Sequence, residues 1–505
     1  MNEMLLSLLV FSPLLGIIVI SFIPKAETRQ LHLLMILATL LPLGLAFVIY
    51  SGFDQTVQGS QFLEVYKWLE FSGPEQFGIE PFPISYELGV NGISIVMILL
   101  TTIICTLSAI AALTITAEVK GYALLFLLLE IGMIGVFAAE NLVMFFIFFE
   151  LTLIPMFFLI GKWGYFKREK AAFSFLIYNG IGSAILLIVF VALFMMTGTV
   201  NINELSLYMQ EDMSYASVPQ AFRIGAVLAL LAAFGVKLPI VPLHSWMVRV
   251  HVQAPIAVVM IHAGILLKIG AYGLIRLGVG IFPEAVKELA VFLAILGVIN
   301  LLYGAFLALI QTDLKKVLAY SSVSHMGIVL LGIAALNGSG MQGAIFQLVS
   351  HGLISALLFF LIGVIYTRTG TTNLDVLGGM AKIMPLTAGF LLAGGLASLG
   401  LPGMSGFVSE FMAFLGLFET MPEIAAVGTL GIILTAVYIL RAVLSVTFGP
   451  ASWSVKSGED LKLTEWIPPV VLLGFIVLIG VFPAVLSNSL QATLELMMLW
   501  IGGGM

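Results

Sequence analysis

Glu150, Lys237, Lys268, His325, His351 and Glu410 stand inside segments otherwise apolar enough to cross a lipid bilayer. An Arg, Lys or Asp at the centre of such a helix costs about 2.5–3.5 kcal/mol on the insertion scale, so these groups persist where they pair or face a hydrated cavity. Carboxylate, ammonium and imidazole are also the side chains that take up and release protons near neutral pH once burial and neighbours adjust them. A row of them at mid-membrane depth reads as a proton-conducting path.

Glu150 lies in Phe148-Phe149-Glu150-Leu151-Thr152-Leu153-Ile154-Pro155. Burial disfavours a charged form and an adjacent opposite charge favours it, so a Glu–Lys pair is switched by separating its members; the plainer alternative is a structural ion pair. Lys237 precedes Pro239 and Pro242, which remove backbone donors and predict a kinked or unwound helix whose freed carbonyls need water or a cation. Lys268 follows Ala263 and Gly264, small residues that permit close helix contact, and reads as a relay. His262, six residues earlier, fits a relay and a satisfied core histidine equally well. His325 and His351 share serine-rich surroundings suited to holding water. Glu410 follows the Gly/Pro-rich run Gly400-Leu401-Pro402-Gly403, which predicts a second broken helix and an outward exit site. Glu130 is open, and Glu140 reads as a solvated helix-end residue.

The elements that carry these residues follow from composition. Of 505 residues, 61% are hydrophobic and only 10% charged, so a water-soluble chain is excluded and one membrane domain is expected. A bilayer core of about 30 Å needs ~20 apolar residues of helix. Fourteen spans satisfy this, starting near Met4, Leu31, Gly92, Tyr122, Leu142, Ala171, Arg223, Pro255, Leu289, Val317, Gln342, Pro385, Ala425 and Ile467. The fold class is therefore an all-α polytopic membrane protein with broken seventh and twelfth helices. Breaks five helices apart fit two inverted five-helix repeats, helices 4–8 (121–278) and 9–13 (287–449). Helices 1–3 (1–120) precede them, and a C-terminal fourteenth helix (466–505) follows. The segment Leu5 to Ile23 lacks a basic n-region and a small-residue cleavage site, so retention as the first helix is expected.

Basic residues alternate between successive loops: fifteen of the 21 Lys and Arg fall on one side, among them Lys120, Lys167, Arg168, Lys316 and Lys456. Lys67, Arg223, Arg276 and Lys287 fall on the other, which predicts a cell-membrane protein with both termini outside. The longest connections, 51–88 and 201–220, read as outer loops, and 449–465 as an inner tether. A net charge of −6 spread over loops gives no reason to expect nucleic acid. The single cysteine, Cys105, excludes an intrachain disulfide, a cluster held by this chain and a thiolate zinc site. No GxGxxG, P-loop, CxxC or HExxH element is present, so neither cofactor nor metal is expected on this chain.

The segments FFELTLIPMFFLI, FGVKLPIVPLHSW, HVQAPIAVVMIHAGILLKIGAYGLIR, QTDLKKVLAYSSVSHMG and LPGMSGFVSEF together resemble the antiporter-like membrane subunits of bacterial NADH-quinone oxidoreductase, respiratory complex I. The resemblance covers nearly the whole chain. It implies fourteen helices, two inverted repeats, and proton half-channels joined by a hydrated axis, driven by quinone reduction elsewhere in the complex. It further implies that Glu150 pairs with Lys237, that Lys268 is the central relay, that His325 and His351 link it onward and that Glu410 is the exit. Glutamate at 410 is similar to one branch of the family, whereas sister branches tend to have lysine, and no long C-terminal lateral helix is evident. The implied partners are sister antiporter-like subunits and the lipid bilayer. Two departures stand out: Met247-Val248-Arg249-Val250-His251 replaces a segment that usually reads like LPDAH, and His262 stands where the family often has an aliphatic or acidic residue. Proton uptake on the inner side is therefore expected to be wired differently. The nearest alternative is a subunit of an Mrp-type sodium/proton antiporter. A quinone- or NADH-binding redox subunit lacks a ligand set, and an organic-solute transporter would gather its polar sites into a cluster.

Overall fold

The computed structural model describes residues 4–71, 82–209, 218–450 and 459–502, so Lys456 and parts of the three long connections lie outside the described residues. Among the described residues, thirteen helices are long and apolar enough to span a membrane. The broken pair Pro385–Ser398 and Ser405–Thr420 makes the fourteenth, in twelfth place. The third, eighth, tenth and eleventh spans are enclosed by their neighbours, whereas the first, second, sixth and fourteenth turn most of their surface outward. Phe22, Phe158, Ile177, Ile188 and Phe411 on that outer surface are exposed apolar groups suited to lipid. The ionisable row sits within the enclosed spans and the helices that flank them.

One connection expected to be a loop is an antiparallel hairpin, β1 (Gln61–Phe71) and β2 (Phe82–Val90). Alternation in Leu63-Glu64-Val65-Tyr66-Lys67-Trp68 carries the strand signal that a search for apolar runs passes over. Glu64 of β1 is buried and accepts from the backbone N–H of Leu6 at 2.7 Å and of Ser7 at 3.1 Å, so it satisfies orphan donors at the start of the first span. The expected C-terminal helix is two helices, Ile467–Val481 and Ala484–Gly502, parted at Phe482-Pro483. The second packs on the hairpin side, where Gly92 N donates to Thr493 Oγ1 at 2.9 Å and Tyr50 to the Val485 carbonyl at 3.0 Å. Its polar positions Ser487, Ser489, Gln491, Thr493 and Glu495 suit a surface helix better than a continued span.

The inverted repeat shows in residues as well as in spacing. The sixth span ends in Thr197-Gly198-Thr199-Val200-Asn201-Ile202, and the eleventh in Thr369-Gly370-Thr371-Thr372-Asn373-Leu374, 172 positions on. Both helices close on a left-handed glycine, φ 74° at Gly198 and 71° at Gly370. Both following segments return to the start of the preceding span, through Leu142 N to Val200 O and Leu314 N to Thr372 O, each 2.9 Å. The first motif lies on the hairpin face, where Asn141 also donates to Ser85, and the second on the opposite face. The same local structure at opposite ends of equivalent helix pairs is what an inverted repeat requires.

The seventh span breaks as the prolines predict, into Gln220–Lys237 and Ser245–Gln253. The freed backbone groups find protein partners in addition to any solvent. The Asn300 side chain accepts from Val241 N at 2.7 Å and donates to Val323 O at 2.9 Å, and the Trp246 indole donates to Val236 O at 3.1 Å. Asn300 thus pins the break to the tenth span. Asn300→Leu should lower stability by about 1–3 kcal/mol, because it leaves buried donors and acceptors unpaired. Thermal unfolding of the purified protein reads this, and an unchanged midpoint would mean that Asn300 does not hold the break.

Candidate proton path

The structure brings four of the six expected residues into one continuous contact. Lys268 Nζ lies 2.8 Å from His351 Nδ1 and also donates to the Ala263 carbonyl. The His351 and His325 rings are 5.4 Å apart between centroids. His325 Nδ1 is 3.4 Å from Glu410 Oε1, with Gln347 Nε2 at 3.2 Å from the same nitrogen and Ser398 Oγ at 3.3 Å from Nε2. All four residues are buried, in the eighth, eleventh, tenth and twelfth spans respectively.

Local sequence explains these positions. Lys268 stands between two π-helical stretches, His262–Leu266 and Leu274–Val279, whose irregular turns are typical of functional sites. The break in the twelfth span carries Gly400 at φ 78° and Gly403 at φ 90°, conformations that L side chains rarely adopt. A β-carbon on Gly400 would come within 2.9 Å of Glu410 Oε2, so this glycine is also what lets the carboxylate fold back against the break. Ser409 donates to Gln347, and Ser350 and Ser405 share a hydrogen bond of 2.7 Å, which ties the resumed helix to the eleventh span.

Glu150 and Lys237 are not in contact. Lys237 Nζ donates to Thr152 Oγ1 at 3.1 Å and lies 3.6 Å from the centroid of the Phe149 ring. Thr152 donates in turn to Phe149 O at 2.7 Å where the fifth span tightens before Pro155. Glu150 is half-buried, and its Oε1 has no hydrogen-bond partner. Glu140 differs from expectation: it is buried, pairs with Arg276 Nη2 at 2.8 Å and accepts from Ser60 and Asn203. The hairpin covers this helix end, so the residue is a staple between the fourth and eighth spans on that face. Glu130 is fully buried in the fourth span with neither oxygen hydrogen-bonded.

Sequence reasoning missed two contributors, Gln347 and Thr152, and the pairing of two histidines that it named singly. Gln347 and Thr152 are neutral and sit in apolar runs, so only their contacts reveal them. His251 and His262 are a hydrogen-bonded pair, Nε2 to Nδ1 at 2.8 Å, fully buried across the Ala254-Pro255 turn between the seventh and eighth spans. The signal was the second histidine itself, which a helix-by-helix reading left without a partner.

A family model described as NADH:quinone oxidoreductase/Mrp antiporter, TM, matches residues 139–435, a stretch that contains every residue of the row. The chain belongs to this family. It is 38% identical over 497 residues to NADH-quinone oxidoreductase subunit M of Rhodobacter capsulatus, covering 96% of this chain and 94% of that one. A chain of the respiratory complex I of Thermus thermophilus matches its structure with a TM-score of 0.84 at 27% identity, covering 99% of this chain and 100% of that one. A chain of the Mrp complex from Dietzia sp. DQ12-45-1b has the same fold, with a TM-score of 0.80 at 22% identity and 98% and 99% coverage. The fold is thus common ground with both kinds of complex, and the 38% identity is with an oxidoreductase subunit.

The buried contact between His325 and Glu410 should be energetically coupled. A double-mutant cycle with His325→Ala and Glu410→Ala, read by thermal unfolding, should give an interaction energy of about 1 kcal/mol or more. Simple additivity would show the two groups to be independent.

Proposed function

We propose that this chain is a proton-translocating membrane subunit of an NADH-quinone oxidoreductase, carrying protons along its ionisable row while redox chemistry proceeds on other chains. The contact from Lys268 through His351 and His325 to Glu410 carries the reading, because it sets four buried proton-exchanging groups side by side within the bilayer: Lys268 is hydrogen-bonded to His351, the two imidazole rings meet at 5.4 Å between centroids, and His325 lies 3.4 Å from Glu410. Glu150 and Lys237 are the charge pair at the other end. Their separation, with Lys237 resting on Thr152, is the open arm of a switch that closes when the ammonium meets the carboxylate. Moving each proton against the membrane potential takes about 2.3 kcal/mol per 100 mV, so the drive comes from conformational or electrostatic change imposed by neighbouring subunits.

The basic face, opposite the hairpin, is cytoplasmic on this reading, and the hairpin and both termini lie outside a bacterial cell membrane. Glu410 then serves the outward exit. The partners are sister antiporter-like subunits of the same complex. The residue ranges 121–278 and 287–449 are the two functional halves, supported by the Thr-Gly-Thr motif that closes the third helix of each. Identity to an oxidoreductase subunit M favours this assignment over an Mrp-type sodium/proton antiporter, with which the likeness is one of fold.

Lys237→Ala or Glu150→Ala should reduce coupled proton pumping and quinone-linked turnover while the complex keeps its full cofactor content. Proton-to-electron stoichiometry in sealed vesicles checks this. Normal stoichiometry at normal assembly would contradict the reading, and strict sodium dependence of transport would favour the antiporter instead.

A further inference from the structure

A column of polar groups leaves the row at Lys268 and runs to the hairpin face, and the proton path described above makes no use of it. Lys268 and Tyr272 are four residues apart in the α-helical stretch Leu267–Gly273, hence on one face of the eighth span with about 6 Å of rise between them. Arg276 follows four residues on, in the π-helical stretch Leu274–Val279. Lys268 turns its ammonium the other way, onto His351 and the carbonyl of Ala263, five residues nearer the inner end. Tyr272 is buried; its hydroxyl lies 2.9 Å from Ser94 Oγ and donates to the Phe137 carbonyl at 3.2 Å. Arg276 Nη2 donates to Glu140 Oε2 at 2.8 Å and to Asn203 Oδ1 at 3.1 Å. Glu140 Oε1 in turn takes the hydroxyl of Ser60, which is half-buried on the hairpin side.

Two buried donors beside this column have no protein partner, Arg276 Nε and Asn91 Nδ2. Asn91 caps the third span and accepts from the N–H of Ser94, three residues further in, at 2.9 Å. Both orphaned donors therefore belong to residues about one helical turn outward of the Tyr272–Ser94 contact. Buried donors of this kind are normally satisfied by enclosed water. A staple between the fourth and eighth spans requires neither a buried tyrosine–serine pair on its inner side nor open donors, and apolar side chains would pack there without leaving polar groups unpaired. The column is thus a short wet shaft from the hairpin face that stops one turn from Lys268.

An open shaft here would defeat a pump, because protons accumulate on the outer side and Lys268 stands in the middle of the row. Arg276 occupies the outer end. A guanidinium only donates and is always charged, so a water at its Nε turns its oxygen toward the cation, and a hydronium there would set two positive charges in contact. Fixed arginines exclude protons from water-filled pores in this way. The carboxylate of Glu140 offers no ready landing place, since Ser60, Asn203 and Arg276 itself take its oxygens.

We propose that Arg276 is an electrostatic seal that keeps outside protons from reaching Lys268 past Tyr272, an inference that rests on the pumping function above. Glu140 and Asn203 are positioning residues that hold the guanidinium across the shaft.

The test is passive proton leak, measured without NADH in sealed vesicles that carry the assembled complex, with a potassium diffusion potential as the drive and a pH-sensitive dye as the readout. The double variant Arg276→Gln with Glu140→Gln removes both charges and keeps a hydrogen-bonding pair. It should leak about tenfold or more faster than the unaltered complex. Arg276→Lys, which keeps the positive charge, should stay tight. Adding Tyr272→Phe to the double variant should restore tightness, because the shaft then loses the hydroxyl at its inner end. A tight double variant overturns the seal, and so does a leak that persists with Tyr272→Phe, since its route lies elsewhere. Neither result touches the pumping function, which falls separately if Lys237→Ala pumps with normal stoichiometry. Should the double variant fail to assemble, Arg276→Gln alone is read by the same leak criterion.

Discussion

A polar or charged group within a lipid bilayer must find a partner inside the protein or in enclosed water, and the architecture of this chain follows from that requirement. It applies to backbone as well as side chains. The prolines of the seventh span and the glycines of the twelfth open the helix ladder, and Asn300, Trp246 and a cluster of serines close it again with side-chain hydrogen bonds. The same places hold Lys237 and Glu410. Broken backbone and buried charge thus share one solvation problem, and solving both in the enclosed core produces a polar band that runs across the molecule rather than through it.

The band is not uniform. From Lys268 to Glu410 it is protein in direct contact, with Ser398 and Gln347 completing the partners of His325. From Glu150 to Lys268 no direct contact joins the ionisable groups among the described residues; Phe149 lies against Lys237, and Trp246 and Phe175 lie against His262. Rigid contact on one side and discontinuity on the other are what a gated path needs, since a continuous wire would let protons run back down the gradient. The third, eighth, tenth and eleventh spans are enclosed by their neighbours, while the lipid-facing helices turn many large apolar side chains outward.

Much of this was legible in the residues. Apolar runs and the alternation of basic loops located all fourteen spans, and the Leu-Pro breaks located the two discontinuities, because both signals are local and strong. The burial of Lys237, Lys268, His325, His351 and Glu410 followed from their depth in those runs. Side-chain partnership did not follow. Glu150 and Lys237 face a shared region without touching, a matter of rotamer and helix rotation that spacing does not determine. Glu140 looked solvated because the hairpin that covers it was not recognised from its alternating pattern. The Thr-Gly-Thr motifs were visible as letters, but only the matching caps and return hydrogen bonds show them to be one structure used twice.

Hydration of the gap between Lys237 and Lys268 decides the central claim, that buried ionisable groups here form one proton-conducting band. An electron cryo-microscopy map of the assembled complex at a resolution that shows water would settle it. Ordered water is expected at His262 Nε2, at His251 Nδ1 and between Glu150 and Lys237. Dry apolar packing at all three places would contradict the account.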